Sequence, residues 1–297
     1  GTVDGAVIGG ASAAAGTFTT ANATTVDTTN IEVTNLKAKD GTAAGSIADS
    51  SGVITIASSV LTTADINGGT VDGITSLSMP SGTVNIQATY PTGTSNVGFG
   101  SGTFAAVEAG ATLNTAMGVN ALQDLTTGDG NTAIGYQAAL NATTASNTVA
   151  IGNAAIGLGI LTGTDNTAIG RLAGNDLTSG ATNVFMGYQA GANATTASNN
   201  VAIGNAAIGS GVLTGDDNVA IGRLAGNDLT SGTYNNFMGL QAGANVTTGT
   251  GNVFQGYQAG EFTTTANYSI AIGYSAISLG VLTGTDNTAI GRQAGND

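Results

Sequence analysis

One spacing governs residues 96–297 of this sequence. A glycine set in the pattern Asn-x-Ala-Ile-Gly-x-x-Ala stands at Gly100, Gly118, Gly135, Gly152, Gly170, Gly187, Gly204, Gly222, Gly239, Gly256, Gly273 and Gly291, at intervals of 17 or 18 residues. So regular a period means stacked structural units rather than one globular core. A unit this short cannot hold a helix pair or a propeller blade. It suits one coil of a β-solenoid, in which short strands and turns stack on the coil before. At roughly 4.8 Å per coil, the interstrand spacing, the array would be a rod on the order of 55 Å long.

Asn stands four residues before the glycine in ten of the twelve coils, at Asn96, Asn114, Asn131, Asn166, Asn183, Asn200, Asn218, Asn235, Asn252 and Asn287. Thr148 and Ser269 take its place in the other two. The expected role is a ladder at the turn, each amide bonding backbone or the next Asn, because buried turn groups need partners. Thr and Ser can still donate and accept there. The residue just before the glycine is Ile in seven coils and Met in three, and the residue two earlier is often Val or Thr. In a strand these share a face, which reads as the apolar core. The position between them faces the other way and is mostly Ala, with Phe185, Phe237 and Phe254 as exceptions. That face is expected to meet another chain, with the three Phe buried there or in a widened coil.

A longer period overlies the first. "VAIGNAAIG" at Val149 and Val201 and "RLAGNDLTSG" at Arg171 and Arg223 repeat at 52 residues, whereas Arg292 follows Arg223 by 69. The extra coil falls near Gly251–Phe262. Solenoids accept such duplications because each coil touches only its neighbours.

Composition removes several function classes. Gly is 48 of 297 residues, Pro is 2, and only 8% of residues are charged. Small β-formers punctuated by Gly and Asn argue for strands and tight turns. Without Cys or His, the chain has no disulfides, no thiolate chemistry, no His-dependent triads and none of the usual zinc sites. A net charge of −13 with five basic residues argues against nucleic-acid binding, which needs clustered cations. No apolar run approaches the length of a membrane span, so no membrane insertion is expected in this segment. No cofactor is expected. The chain begins at Gly1 and stops at Asp297 inside a repeat, as a segment of a longer polypeptide would.

Residues 1–95 lack the period and read as a separate β-rich fibre segment, distinct from the repeat domain of 96–297. "GTVDG" occurs at Gly1–Gly5 and again at Gly69–Gly73. Ile47–Ile54 reads as strand, turn, strand. Lys37, Lys39 and Asp40 read as a solvated turn, and Met79–Gly93, which holds both prolines, as a junction.

The phrases "NTVAIG" (Asn147–Gly152), "NNVAIG" (Asn199–Gly204) and "DNVAIG" (Asp217–Gly222) resemble the head repeats of YadA-like trimeric autotransporter adhesins. That resemblance, over residues 96–297, implies a left-handed parallel β-roll of about twelve coils in a homotrimer, although coils in that family are usually shorter. "VDGAVIGGASAAAGTFTTANATTVD" (Val3–Asp27) is similar to segments of tail-fibre proteins of tailed phages, notably those infecting cyanobacteria. Together the resemblances imply an extracellular, all-β, homotrimeric fibre that presents a host-binding tip outside this segment, on a phage virion or, alternatively, a bacterial surface. The tip's target would be a host cell-surface glycan or protein.

Sharper chemistry has candidates. Asp165, Asp217 and Asp286 recur in turns before the Asn, and Asp176, Asp228 and Asp297 in "AGND". Repeated carboxylates beside Asn and Gly could hold Ca²⁺; turn-forming Asp is the plainer reading. Arg171, Arg223 and Arg292 follow the glycine directly, each with an Asp five residues on, and suit an interchain pair. A polysaccharide-cutting tailspike would need paired carboxylates. Asp216 with Asp217, or Glu108 with Glu261, are the available pairs, but adjacent strand residues point apart. Sugar clefts also favour aromatic platforms, and Trp is absent. A non-enzymatic structural role is the expectation.

Overall fold

A computed structural model describes residues 95–296 apart from 109, 279–281 and 283, together with the backbone of three short strands nearer the N-terminus. Those strands, β1 (Asn35–Lys37), β2 (Ala43–Ile47) and β3 (Ile54–Thr55), form an antiparallel meander. The β2–β3 pairing sets Ile47 opposite Ile54; the turn expected between them lies outside the described residues. Val3–Asp27, Gly69–Gly73, the Met79–Gly93 junction and Asp297 lie outside the described residues. The chain comprises two compact units, Gly1–Ser78 and Met79–Asp297.

The repeat is a parallel β-solenoid, and its described residues contain no helix. Each coil carries one three-residue strand: β4 (Val97–Phe99), β5 (Thr115–Met117), β6 (Thr132–Ile134), β7 (Val149–Ile151), β8 (Thr167–Ile169), β9 (Val184–Met186), β10 (Val201–Ile203), β11 (Val219–Ile221), β12 (Asn236–Met238), β13 (Val253–Gln255), β14 (Ile270–Ile272) and β15 (Thr288–Ile290). They pair in sequence order as one twelve-stranded sheet, about eleven turns in all. Register is constant, so Val201 faces Val184 on one side and Val219 on the other. The rest of each coil is turn, closed onto the next coil by backbone bonds such as Ala139 N–H to Ala155 O at 2.9 Å.

Left-handed residues bend the coil. In the Gly170 coil these are Asp165 (φ +60°), Gly170 (φ +135°), Leu172 (φ +59°) and Gly174 (φ +57°). Asp217 and Asp286, also at φ +60°, occupy the same position as Asp165. Asp tolerates this conformation better than most side chains, which accounts for its recurrence in the turn.

The structure reverses the two strand faces. The central residue, Ala or Phe, points into the coil: Ala150, Ala202 and Ala220 are fully buried, as are Phe185, Phe237 and Phe254. The Val/Thr and Ile/Met positions point outward and are half-buried or exposed. Alternation defines two faces but does not say which is inward. The inside is already filled from the turns, by Ile156 and Ile208 and by the column Leu125, Leu161, Leu177, Leu213, Leu229 and Val246, all buried. What remains opposite the strand admits only Ala, except where glycines make room for Phe.

That room is specific. A Cβ on Gly174 would lie 2.9 Å from Phe185 Cδ2, and one on Gly191 2.6 Å from Phe185 Cδ1. Gly226 and Gly243 bracket Phe237 in the same way. Where the strand centre is Ala202 or Ala271, the position four after the glycine is Ile208 or Ile277. Phe237 and Phe254, in consecutive coils, stack with centroids 5.4 Å apart.

Candidate functional site

The Asn residues four before the glycine are buried, except Asn287, which is half-buried, and most are linked coil to coil. Asn131 donates twice to Asn114 Oδ1, from its backbone N–H at 2.8 Å and from Nδ2 at 3.0 Å. Nδ2 also donates to Ala145 O at 2.7 Å. The double bond to the preceding Oδ1 recurs at Asn114, Asn183, Asn200, Asn218, Asn235 and Asn252. Ser269 carries the ladder onward, because Asn287 donates to its Oγ from N–H at 3.3 Å and from Nδ2 at 3.2 Å.

Thr148 does not. Its N–H donates to Asn131 Oδ1, but its hydroxyl turns to Ser146 O at 3.4 Å. Asn166 is left with Nδ2 on Gly180 O and no bond to Thr148. Thr148→Asn is therefore expected to close the gap and raise stability by about 1–3 kcal/mol, a few buried hydrogen bonds at their usual net worth. Ser269→Asn, where the ladder is already continuous, is expected to change little. Thermal denaturation of the two variants checks the contrast.

Elsewhere among the described residues a buried hydroxyl lacks a partner. Thr263 occupies the Leu column, and its Oγ1 makes no hydrogen bond. Thr263→Val keeps the shape and removes the stranded hydroxyl, so a gain of about 1–3 kcal/mol is expected in denaturant unfolding.

The outward face is an apolar stripe running the length of the sheet. Phe99, Met117, Met186, Met238 and Ile290 are between 37% and 68% exposed, and the intervening Ile are half-buried. Along its edge runs the position after the glycine. Tyr257 and Tyr274 stack there at 4.9 Å. Arg171 lies 4.7 Å over the Tyr188 ring and donates from Nη2 to its hydroxyl at 2.9 Å, while Arg292 sits 5.7 Å from the Tyr274 centroid. Arg223 has Leu240, not a tyrosine, at the matching position of the next coil. Within the chain, Asp176 and Asp228 accept from the amides of Asn175 and Asn227, not from the arginines.

The carboxylates considered for catalysis do not converge. Glu108 and Glu261 stand in the first and tenth coils, roughly 43 Å apart at the spacing of parallel strands. Glu261 is nearly buried, and loss of solvation raises its pKa, partly offset by a hydrogen bond with Gln258. Asp216 Oδ1 is engaged by Ser198 N–H at 2.7 Å, while Asp217 sits exposed at its left-handed turn position. Among the described residues no three His, Cys, Asp or Glu side chains group as a metal site, and no helix is long and apolar enough to cross a membrane.

No protein-family model matches the chain, and no curated protein or solved structure is a match for it.

Proposed function

We propose that the chain is a non-enzymatic segment of a homotrimeric phage tail fibre, extracellular on the virion, that spaces and presents a host-attachment tip lying beyond it. The observation that carries this reading is the outward stripe. Parallel sheets are normally covered on both faces, and here one face is packed by the coil's own turns while the other offers Val, Ile and Met to solvent. Further copies of the same chain, set side by side with coils in parallel, would cover it. The association surface is thus the Ile/Val/Met face, not the Ala/Phe face that alternation suggested. The phage assignment rests on the resemblance of Val3–Asp27. The "NVAIG" phrases favour a bacterial surface adhesin as the second reading.

Light scattering is expected to give three times the chain mass of 28.6 kDa. Ile151→Asp with Ile203→Asp is expected to release monomers that keep their β circular dichroism, since both residues lie on the outward face. A monomeric wild-type chain at micromolar concentration would overturn the reading.

A further inference from the structure

We infer that Asn236 and Gln255 fix the register and the parallel orientation in which copies of the chain associate; this rests on the self-association proposed above. The outward face has two positions per coil, and ten of the twelve strands fill them with Val, Thr, Ile, Met or Phe. Such a face is nearly the same after sliding by one coil, and beyond the rung uncovered at each end the regular rungs provide no penalty for a slip. A uniform β surface specifies its pairing weakly for this reason.

Two adjacent rungs break the uniformity. Asn236 is the only amide at the first outward position and Gln255 the only one at the second. Both are exposed in the single chain. Gln255 reaches no better partner than Met238 Sδ, at 3.9 Å, and Asn236 makes no side-chain hydrogen bond. Neither contributes to the coil's interior, which the neighbouring Phe237 and Phe254 fill.

With copies parallel and in register, each amide meets its own kind and can both donate and accept. After a slip of one coil, Gln255 would face Met238 or Ile272 and Asn236 would face Val219 or Val253, burying amides without partners. An antiparallel arrangement could match the amides only by overlapping about half of the rungs, because they lie in the ninth and tenth of the twelve strands. One polar layer in an apolar seam is a known means of selecting register at some cost in stability.

The test uses the full chain, which has no native cysteine. Differently tagged Ile169→Cys and Ile203→Cys chains are co-produced and oxidised. These positions are two rungs apart, roughly 9.6 Å, too far for a disulfide in register. In the parent background only same-site disulfides are expected. With Asn236→Val and Gln255→Ile added, slips of one and of two coils become accessible; the two-coil slip brings the two sites level, and mixed 169–203 disulfides are expected to rise from background to a readily measured fraction of the product. Mixed disulfides already in the parent, or same-site disulfides alone in the double variant, would overturn the inference. Light scattering on the same samples separates the two failures: a monomer defeats self-association itself, whereas an oligomer of unchanged register defeats only the role of the amides.

Discussion

Gly204→Ala is expected to lower stability by more than about 4 kcal/mol, a loss rare for one methyl group. Two effects combine. Gly204 has φ +134°, a conformation that costs an L-residue about 1–3 kcal/mol. Its Cβ would also lie 2.6 Å from Gly222 O and 2.7 Å from Gly222 C, so the next coil would have to move and break the ladder bonds on either side. Gly291 separates the terms. It has φ +129°, yet the nearest atom to an added Cβ is Ala294 Cβ at 3.9 Å. Gly291→Ala is expected to carry only the conformational cost. Thermal unfolding by circular dichroism reads both variants; equal losses would mean that stacking plays no part in conserving space at the glycine column.

The second large effect is a compensated swap. Phe237→Ala is expected to cost about 3–5 kcal/mol, as for other buried aromatics. Ala202→Phe should overpack its coil, since Ile208 fills the space that a ring would take, and Ile208→Gly should leave a cavity of about 2–5 kcal/mol. Combined, they recreate the arrangement of Phe254 with Gly260, next to a coil that already has Phe185 with Gly191. The double variant is therefore expected to recover about 1–3 kcal/mol relative to the sum of the single changes, measured in a double-mutant cycle by denaturant unfolding. Strict additivity would show that the two sites do not share one volume.

The coil, its length and the Asn column were legible because each leaves a periodic trace: Gly at a φ only Gly adopts, Asn where an amide must bond above and below. The inward face was not legible from alternation. Hydrophobicity points to Ile151 and Ile203 as core, but inward space is set by what the turns send in, and Ile156, Leu161 and Ile208 arrive from non-strand positions at left-handed or irregular backbone. A readable signal did exist. Phe at the strand centre always accompanies Gly six residues later, as in Phe185 with Gly191 and Phe237 with Gly243, whereas Ala202 accompanies Ile208. The two positions are never both large, although both can be small, as at Ala168 with Gly174, and this points to a shared space inside the coil. The break at Thr148 was hidden because a hydroxyl can in principle continue the ladder, as Ser269 does; the rotamer decides, and Thr148 points its oxygen at Ser146 O.

The Asn column also has a direction. Each linked Asn donates N–H to the Oδ1 of the Asn in the preceding coil and turns its own Oδ1 toward the following one. The amide dipoles therefore add along the axis instead of alternating, and hydrogen bonds in such a chain polarise one another. The Asn287 side carries the partial negative charge and the Asn96 side the positive, with Thr148 dividing the column into two shorter polar runs. The column is therefore polar along its length, with an acceptor side toward Asn287 and a donor side toward Asn96.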